Sequence, residues 1–155
     1  MNLRFDDHLC HEPGHLIRRA HQLAVATFHG IHGRQITPVQ YAVLRTLDAE
    51  PGIDQVTLAT RVALDTSTTA DIATRLEAKG WIVRQLLPRR QRSLRLTSEG
   101  QAVLSAMLPK VEGMYQALLA HLTPQEQAEF VRLLGKFTGV PVSDAPPASS
   151  GKPPR

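Results

Sequence analysis

Two acid-capped helix starts stand almost back to back in this chain. Asp54 opens a run that places Val56, Ala59 and Val62 at inward spacing, and after the short connection Ala63-Leu64 a second acid, Asp65, opens another. Aspartate is a strong N-cap because its carboxylate accepts from the orphan N–H groups of the first turn and suits the positive end of the helix dipole. The second run keeps Thr69, Ile72, Ala73 and Leu76 on one face, turns Thr66, Ser67, Ala70, Asp71 and Thr74 outward, and stops at Gly80. Two short helices thus sit very close together. The period then changes from 3.6 to 2: Trp81-Ile82-Val83 is β-prone and Leu94-Arg95-Leu96 alternates. Between them Pro88-Arg89-Arg90-Gln91-Arg92 is polar and lacks apolar anchors, as an exposed hairpin tip does. The predicted fold is mainly α with a small β-hairpin: a helix-turn-helix followed by a wing, plus helical regions for dimerisation.

Charge points to the same segment. Residues 1–50 hold five acids and five of Lys/Arg, and residues 99–155 again five of each, while residues 51–98 hold four acids against eight cations. From Ala78 to Ser98 there are six cations and no acid. A field so focused suits a polyanion partner better than a mixed solvated surface does.

The flanks read as helices. Leu16, Ala20, Leu23, Ala24, Thr27, Phe28 and Ile31 form an apolar stripe that predicts one amphipathic helix over about residues 10–32, closed by Gly33. Thr37-Pro38 starts the next, which ends before Pro51-Gly52. After Thr97-Ser98-Glu99 a long stripe runs from Leu104 to Leu122 with a bend expected at Pro109, and Thr123-Pro124-Gln125-Glu126 is a capping box for a last helix bearing Phe130, Val131, Leu134 and Phe137. The expected organisation is an N-terminal dimerisation and sensor helix over residues 1–36, a DNA-binding winged domain over 37–98, C-terminal dimerisation helices over 99–138, and a disordered Pro/Ser/Gly-rich tail over 139–155. The terminal helices carry more apolar stripe than a small winged module buries, so a second copy of the chain is the expected partner.

These segments resemble the MarR family of bacterial regulators. The likeness runs over about residues 10–137 and is carried by Thr37-Pro38-Val39-Gln40-Tyr41-Ala42-Val43-Leu44, Leu58-Ala59, Asp65-Thr66-Ser67-Thr68-Thr69, Arg75-Leu76-Glu77-Ala78-Lys79-Gly80-Trp81-Ile82 and Leu96-Thr97-Ser98-Glu99-Gly100. The resemblance implies a homodimer with interlocked terminal helices, a recognition helix at about Asp65 to Lys79, wings that touch the minor groove, and often a repressor released by a small aromatic acid. Two departures stand out. Pro88 sits where the family often has an aspartate before its wing arginines, and Ala70-Asp71 replaces a polar residue and arginine in the recognition helix.

The expected DNA contacts follow from chemistry. Thr66, Ser67 and Thr68 offer hydroxyls and orphan N–H groups to a phosphate or base edge, with Thr74 about two turns on. Asp71 suits a cytosine amino group, or else serves only the helix dipole. Arg90 is the candidate for a narrow minor groove, Arg89 and Arg92 for phosphates, and Gln55 and Thr57 for phosphates from the preceding helix.

Six of the seven histidines lie in the first 32 residues, and helical spacing sets His11, His15, Arg18 and His29 on the side opposite the apolar stripe. With His8 and Tyr41, the set His15, Arg18 and His29 is the candidate effector site. A guanidinium binds a carboxylate in two-pronged fashion, while phenol and imidazole serve its ring substituents. The expected effector is a small aromatic carboxylate, with a hydroxylated pyridine carboxylate suggested by overall similarity. Two rivals remain for the same fold: a zinc site at His8, Cys10, His11 and His15, and redox sensing by Cys10. A winged module for protein interaction is a third.

No phosphate loop, nucleophile elbow or paired carboxylates point to an enzyme, and no cofactor is expected. The first residues, MNLRFDDHLC, carry charge where a signal peptide needs an apolar core, and no apolar run approaches the roughly 18 residues of a membrane span. The expected location is the cytoplasm of a bacterium, on its nucleoid and away from the membrane.

Overall fold

The computed structural model describes residues 9–88 and 92–140. The chain forms two compact units that divide between Leu118 and Leu119. In the first, a short 3-10 turn at Leu9–His11 precedes α1 (Pro13–His32), α2 (Pro38–Ala49), α3 (Gln55–Arg61), α4 (Thr66–Ala78), β1 (Ile82–Leu86), β2 (Arg92–Leu96), α5 (Ser98–Met107) and α6 (Val111–Leu118). The second contains α7 (Pro124–Thr138).

The caps are where the sequence placed them. Thr37 and Thr123 form capping boxes with Gln40 and Glu126, and Asp54 and Asp65 accept from the N–H groups of Thr57 and Thr68. The first helix departs from expectation in starting at Pro13 rather than near residue 10, because a proline ring disfavours helical backbone in the residue before it. Pro109 does more than bend its helix. It divides it, with a 3-10 turn at Leu108–Lys110 between α5 and α6.

Leu44, Leu47, Leu58, Leu76, Ile82, Leu94 and Leu104 are fully buried, so α2 to α5 and the hairpin share one core. Thr69 is buried among them, and its hydroxyl is satisfied by donating to the carbonyl of Asp65 at 2.9 Å. Val56 corrects the sequence reading: it is 64% exposed, and Leu58 takes the inward position on α3.

The hairpin is antiparallel, with Ile82 opposite Leu96, Arg84 opposite Leu94 and Leu86 opposite Arg92. The other edge of β2 is also occupied. Gly52 N–H donates to the Leu94 carbonyl, Leu94 N–H to the Ile53 carbonyl, and the Ser93 hydroxyl to the Gly52 carbonyl, at 2.9, 2.9 and 3.1 Å. The turn into β1 uses Gly80 at φ +75°, and α5 is joined to it closely: Thr97 N–H donates to the Trp81 carbonyl at 3.0 Å and its hydroxyl to the Gly80 carbonyl at 2.5 Å. Gly100 lies so near that a Cβ there would fall 1.9 Å from the Trp81 carbonyl oxygen.

Several apolar side chains on α1 stay open, among them Leu16, Ile17 and Leu23. On α7, Phe130, Leu133, Leu134 and Phe137 are exposed, the last by 70%. Gly139, at φ +71°, caps α7, and residues 141–155 of the expected tail lie outside the described residues. Among the described residues no helix is long and apolar enough to cross a membrane.

Candidate nucleic-acid interface

The first turn of α4 is built on Asp65. Its carboxylate accepts from Thr68 twice, from the N–H at 2.7 Å and the hydroxyl at 2.6 Å, which holds the acid below the usual aspartate range. The hydroxyl proton of Thr68 is therefore committed to the cap. Asp54 and Thr57 repeat the arrangement at 2.9 and 2.6 Å, and Asp54 is held low for the same reason. Thr74 donates its hydroxyl to the Ala70 carbonyl at 2.9 Å. Of the expected hydroxyl donors, Thr66 and Ser67 are exposed and neither hydroxyl makes a hydrogen bond among the described residues, which leaves both to meet an anion at the positive end of the helix. Asp71 is exposed on the same outward face. Gln55 is half-buried, with its side-chain oxygen buried and unpaired, so of the expected set it is the least available to a phosphate.

The cationic segment is less uniform than its sequence. Arg92 and Arg95 are exposed on β2, and Arg89 and Arg90 lie outside the described residues. Arg84, counted among the cations, is turned inward: Nε and Nη2 donate to Glu77 Oε2 at 2.9 and 2.6 Å. Lys79 is also engaged, with its ammonium 4.4 Å from the Trp81 ring centroid and donating to the Gln35 carbonyl. Sequence reasoning missed both ties, although Glu77 is the one acid in the last two turns of α4.

The expected effector residues fall into two groups. On α1, Arg18 Nη2 stands 3.2 Å from His15 Nδ1 and Nη1 donates to Gln22 at 3.3 Å. Further along the helix, His21, Gln22, Val25, His29 and Arg34 line an open groove of about 750 Å³. His29 Nδ1 donates to the Gly33 carbonyl at 2.9 Å, which leaves Nε2 for another partner. Tyr41 belongs elsewhere: its ring packs against Phe28 and lies nearly parallel to His32, centroids 5.9 and 6.2 Å away. Burial raises the Tyr41 phenol, and burial, with Lys110 adding to it, lowers the His32 imidazole, whose Nε2 has no hydrogen-bond partner. His32, His21 and Arg34 were not singled out from sequence as ligand residues. His8 lies outside the described residues; Cys10 is exposed, and among the described residues no three of His, Cys, Asp and Glu stand together as a metal site would need.

Residues 36–94, which span the helix-turn-helix and most of the hairpin, match the MarR family. The transcriptional regulator HosA of Escherichia coli O157:H7 is 34% identical over 104 residues, covering 66% of this chain and 77% of that protein. The chain belongs to the MarR family. Among solved structures, PcaV from Streptomyces coelicolor in complex with its natural ligand superposes with a TM-score of 0.80 at 38% identity, over 84% of this chain and 94% of that one. BpsR of Bordetella bronchiseptica, whose DNA binding is regulated by 6-hydroxynicotinic acid, superposes with a TM-score of 0.77 at 30% identity, over 84% and 96%. As a MarR-family chain the protein is a DNA-binding transcriptional regulator of the winged-helix type and not an enzyme.

Proposed function

We propose that the protein is a homodimeric repressor that binds an inverted-repeat operator and is released by a small aromatic carboxylate. The observation that carries the DNA half is the union, on one rigid module, of an exposed hydroxyl-rich helix start at Thr66 and Ser67 with an exposed cationic hairpin. In this reading α4 enters the major groove with Asp71 at a base edge, Arg90 enters the adjacent minor groove, and Arg89 and Arg92 neutralise phosphates. Thr57, Thr68 and Thr74 act through the backbone they brace, their hydroxyl protons being engaged. The open apolar faces of α1 and α7 support pairing with a second copy. The regulator works in the cytoplasm, on the nucleoid.

For the effector, α1 offers Arg18 with His15, then His21 and His29, with Arg34 just past its end, a face to which the helix itself adds no carboxylate. An aromatic acid matches it, with the carboxylate on a guanidinium and the ring against Val25. BpsR, similar over nearly its whole length, supports a hydroxylated pyridine carboxylate. The test is a fluorescence-anisotropy titration of a duplex that the protein itself enriches from a random-sequence pool. Arg90→Ala is expected to weaken binding by about tenfold or more with the dimer intact, and 6-hydroxynicotinate to release the wild-type complex. Unchanged binding by the variant removes the wing from the reading; a complex indifferent to aromatic acids removes the effector.

A further inference from the structure

The hairpin is held to the rest of its module on two sides. Residues Gly52 and Ile53 pair with the outer edge of β2. On the inner side, the hydrogen bonds that join α4 to β1 among the described residues all end on one side chain, the carboxylate of Glu77. Arg84 gives it three: Nε and Nη2 to Oε2 at 2.9 and 2.6 Å, and the backbone N–H to Oε1 at 3.3 Å. The Arg84 side chain is only 19% exposed, and it shares the face of the hairpin that carries buried Ile82 and Leu94. Its charge is thus taken up by Glu77 rather than offered to the surface. Arg92, at the foot of the tip and on that same face, feels the Glu77 charge as well. An arginine–carboxylate pair of this two-pronged, part-buried kind fixes direction as well as distance.

We propose that Glu77 and Arg84 are positioning residues for DNA binding: the pair locks the wing at one angle to the reading helix, so that the wing arginines meet the groove next to the one the helix occupies. The inference rests on the hairpin acting as a DNA-contacting wing.

The sign of the effect makes it testable. Removing a carboxylate from a protein that binds a polyanion strengthens binding if charge alone is at work. Here Glu77→Gln is expected to weaken binding of the enriched duplex by about tenfold, the scale of a broken coupled pair. Hydroxyl-radical footprinting should show loss of the minor-groove protection flanking the site, with the major-groove protection retained. Arg84→Lys keeps the cation but loses the two-pronged geometry, and should weaken binding likewise. The double variant E77Q/R84Q should bind no worse than R84Q alone, since each residue acts through the other. Binding by E77Q that is equal or tighter, wild-type binding by R84K, or additive losses in the double variant each overturn the proposal. So does a loss of both footprints in step with the melting temperature, which marks a merely structural pair. Arg90→Ala separates the two layers: if it leaves the footprint intact the wing reading fails, and if it weakens binding while E77Q does not, only the Glu77 inference fails.

Discussion

At the scale of single residues, two positions carry a measurable cost or sensitivity. Ala63, between α3 and α4, has φ +55°, a left-handed conformation in which its Cβ crowds the following carbonyl. The tight connection seen in the sequence was legible, but its handedness was not, because alanine carries no signal for it. Ala63→Gly is expected to raise stability by up to about 1 kcal/mol, measured by chemical denaturation, glycine's extra chain entropy offsetting part of the relief. His32 carries the second. Its imidazole is lowered by burial and by Lys110, so the folded state binds its proton more weakly than the unfolded chain. The stability it contributes is present above the unfolded value of 6.5 and is lost as pH falls through the lower folded value. Thermal melts should therefore weaken as pH drops below 6.5, and His32→Gln should flatten that part of the profile. The carboxylates held low, Asp54, Asp65 and Glu77, act in a separate and more acid window.

At the scale of elements, the caps at Asp54 and Asp65 were legible because a cap is a local bond between a side chain and an N–H three residues on. The inward face of α3 was not. A helix running only from Gln55 to Arg61 makes two turns, and both a Val56-Ala59-Val62 phase and a Leu58-centred one fit so short a run. The Glu77–Arg84 pair was hidden for another reason: it spans a helix end, a left-handed glycine and the start of a strand, and the exact turn decides who meets whom. That turn also receives α5. Since a Cβ at Gly100 would lie 1.9 Å from the Trp81 oxygen, Gly100→Ala must push the helix off the hairpin base or break the Thr97 bonds. A loss of about 1–3 kcal/mol, the usual cost of overpacking, is expected in denaturant titrations, with weaker DNA binding beside it.

At the scale of the whole molecule, the apolar faces foretold a partner more surely than a ligand. Leu23 on α1 is 61% exposed and Phe137 on α7 is 70% exposed, an arrangement that water does not favour over a second copy of the chain. Leu23→Asp combined with Phe137→Asp is expected to halve the mass seen by analytical ultracentrifugation while the helical circular-dichroism signal persists. The same variant should lose most of its affinity for an inverted repeat, since one reading head alone binds only a half-site. A dimer that survives both charges would assign the interface to other surfaces. The expected effector residues are only partly brought together: His15, Arg18 and His29 are on α1 as the helical spacing required, but Tyr41 packs with Phe28 and His32, a pairing set by how α2 lies on α1.

The double-edged pairing of β2 has a bearing on how such a regulator changes its target. At Leu94 the strand is hydrogen-bonded on both sides, so this stretch of β2 offers no open backbone to a stray neighbour of the kind that exposed strands invite. It also keeps its register without help from the tip. On the proposed reading, the segment between Pro88 and Arg92 is therefore the natural place to graft a new preference onto this frame.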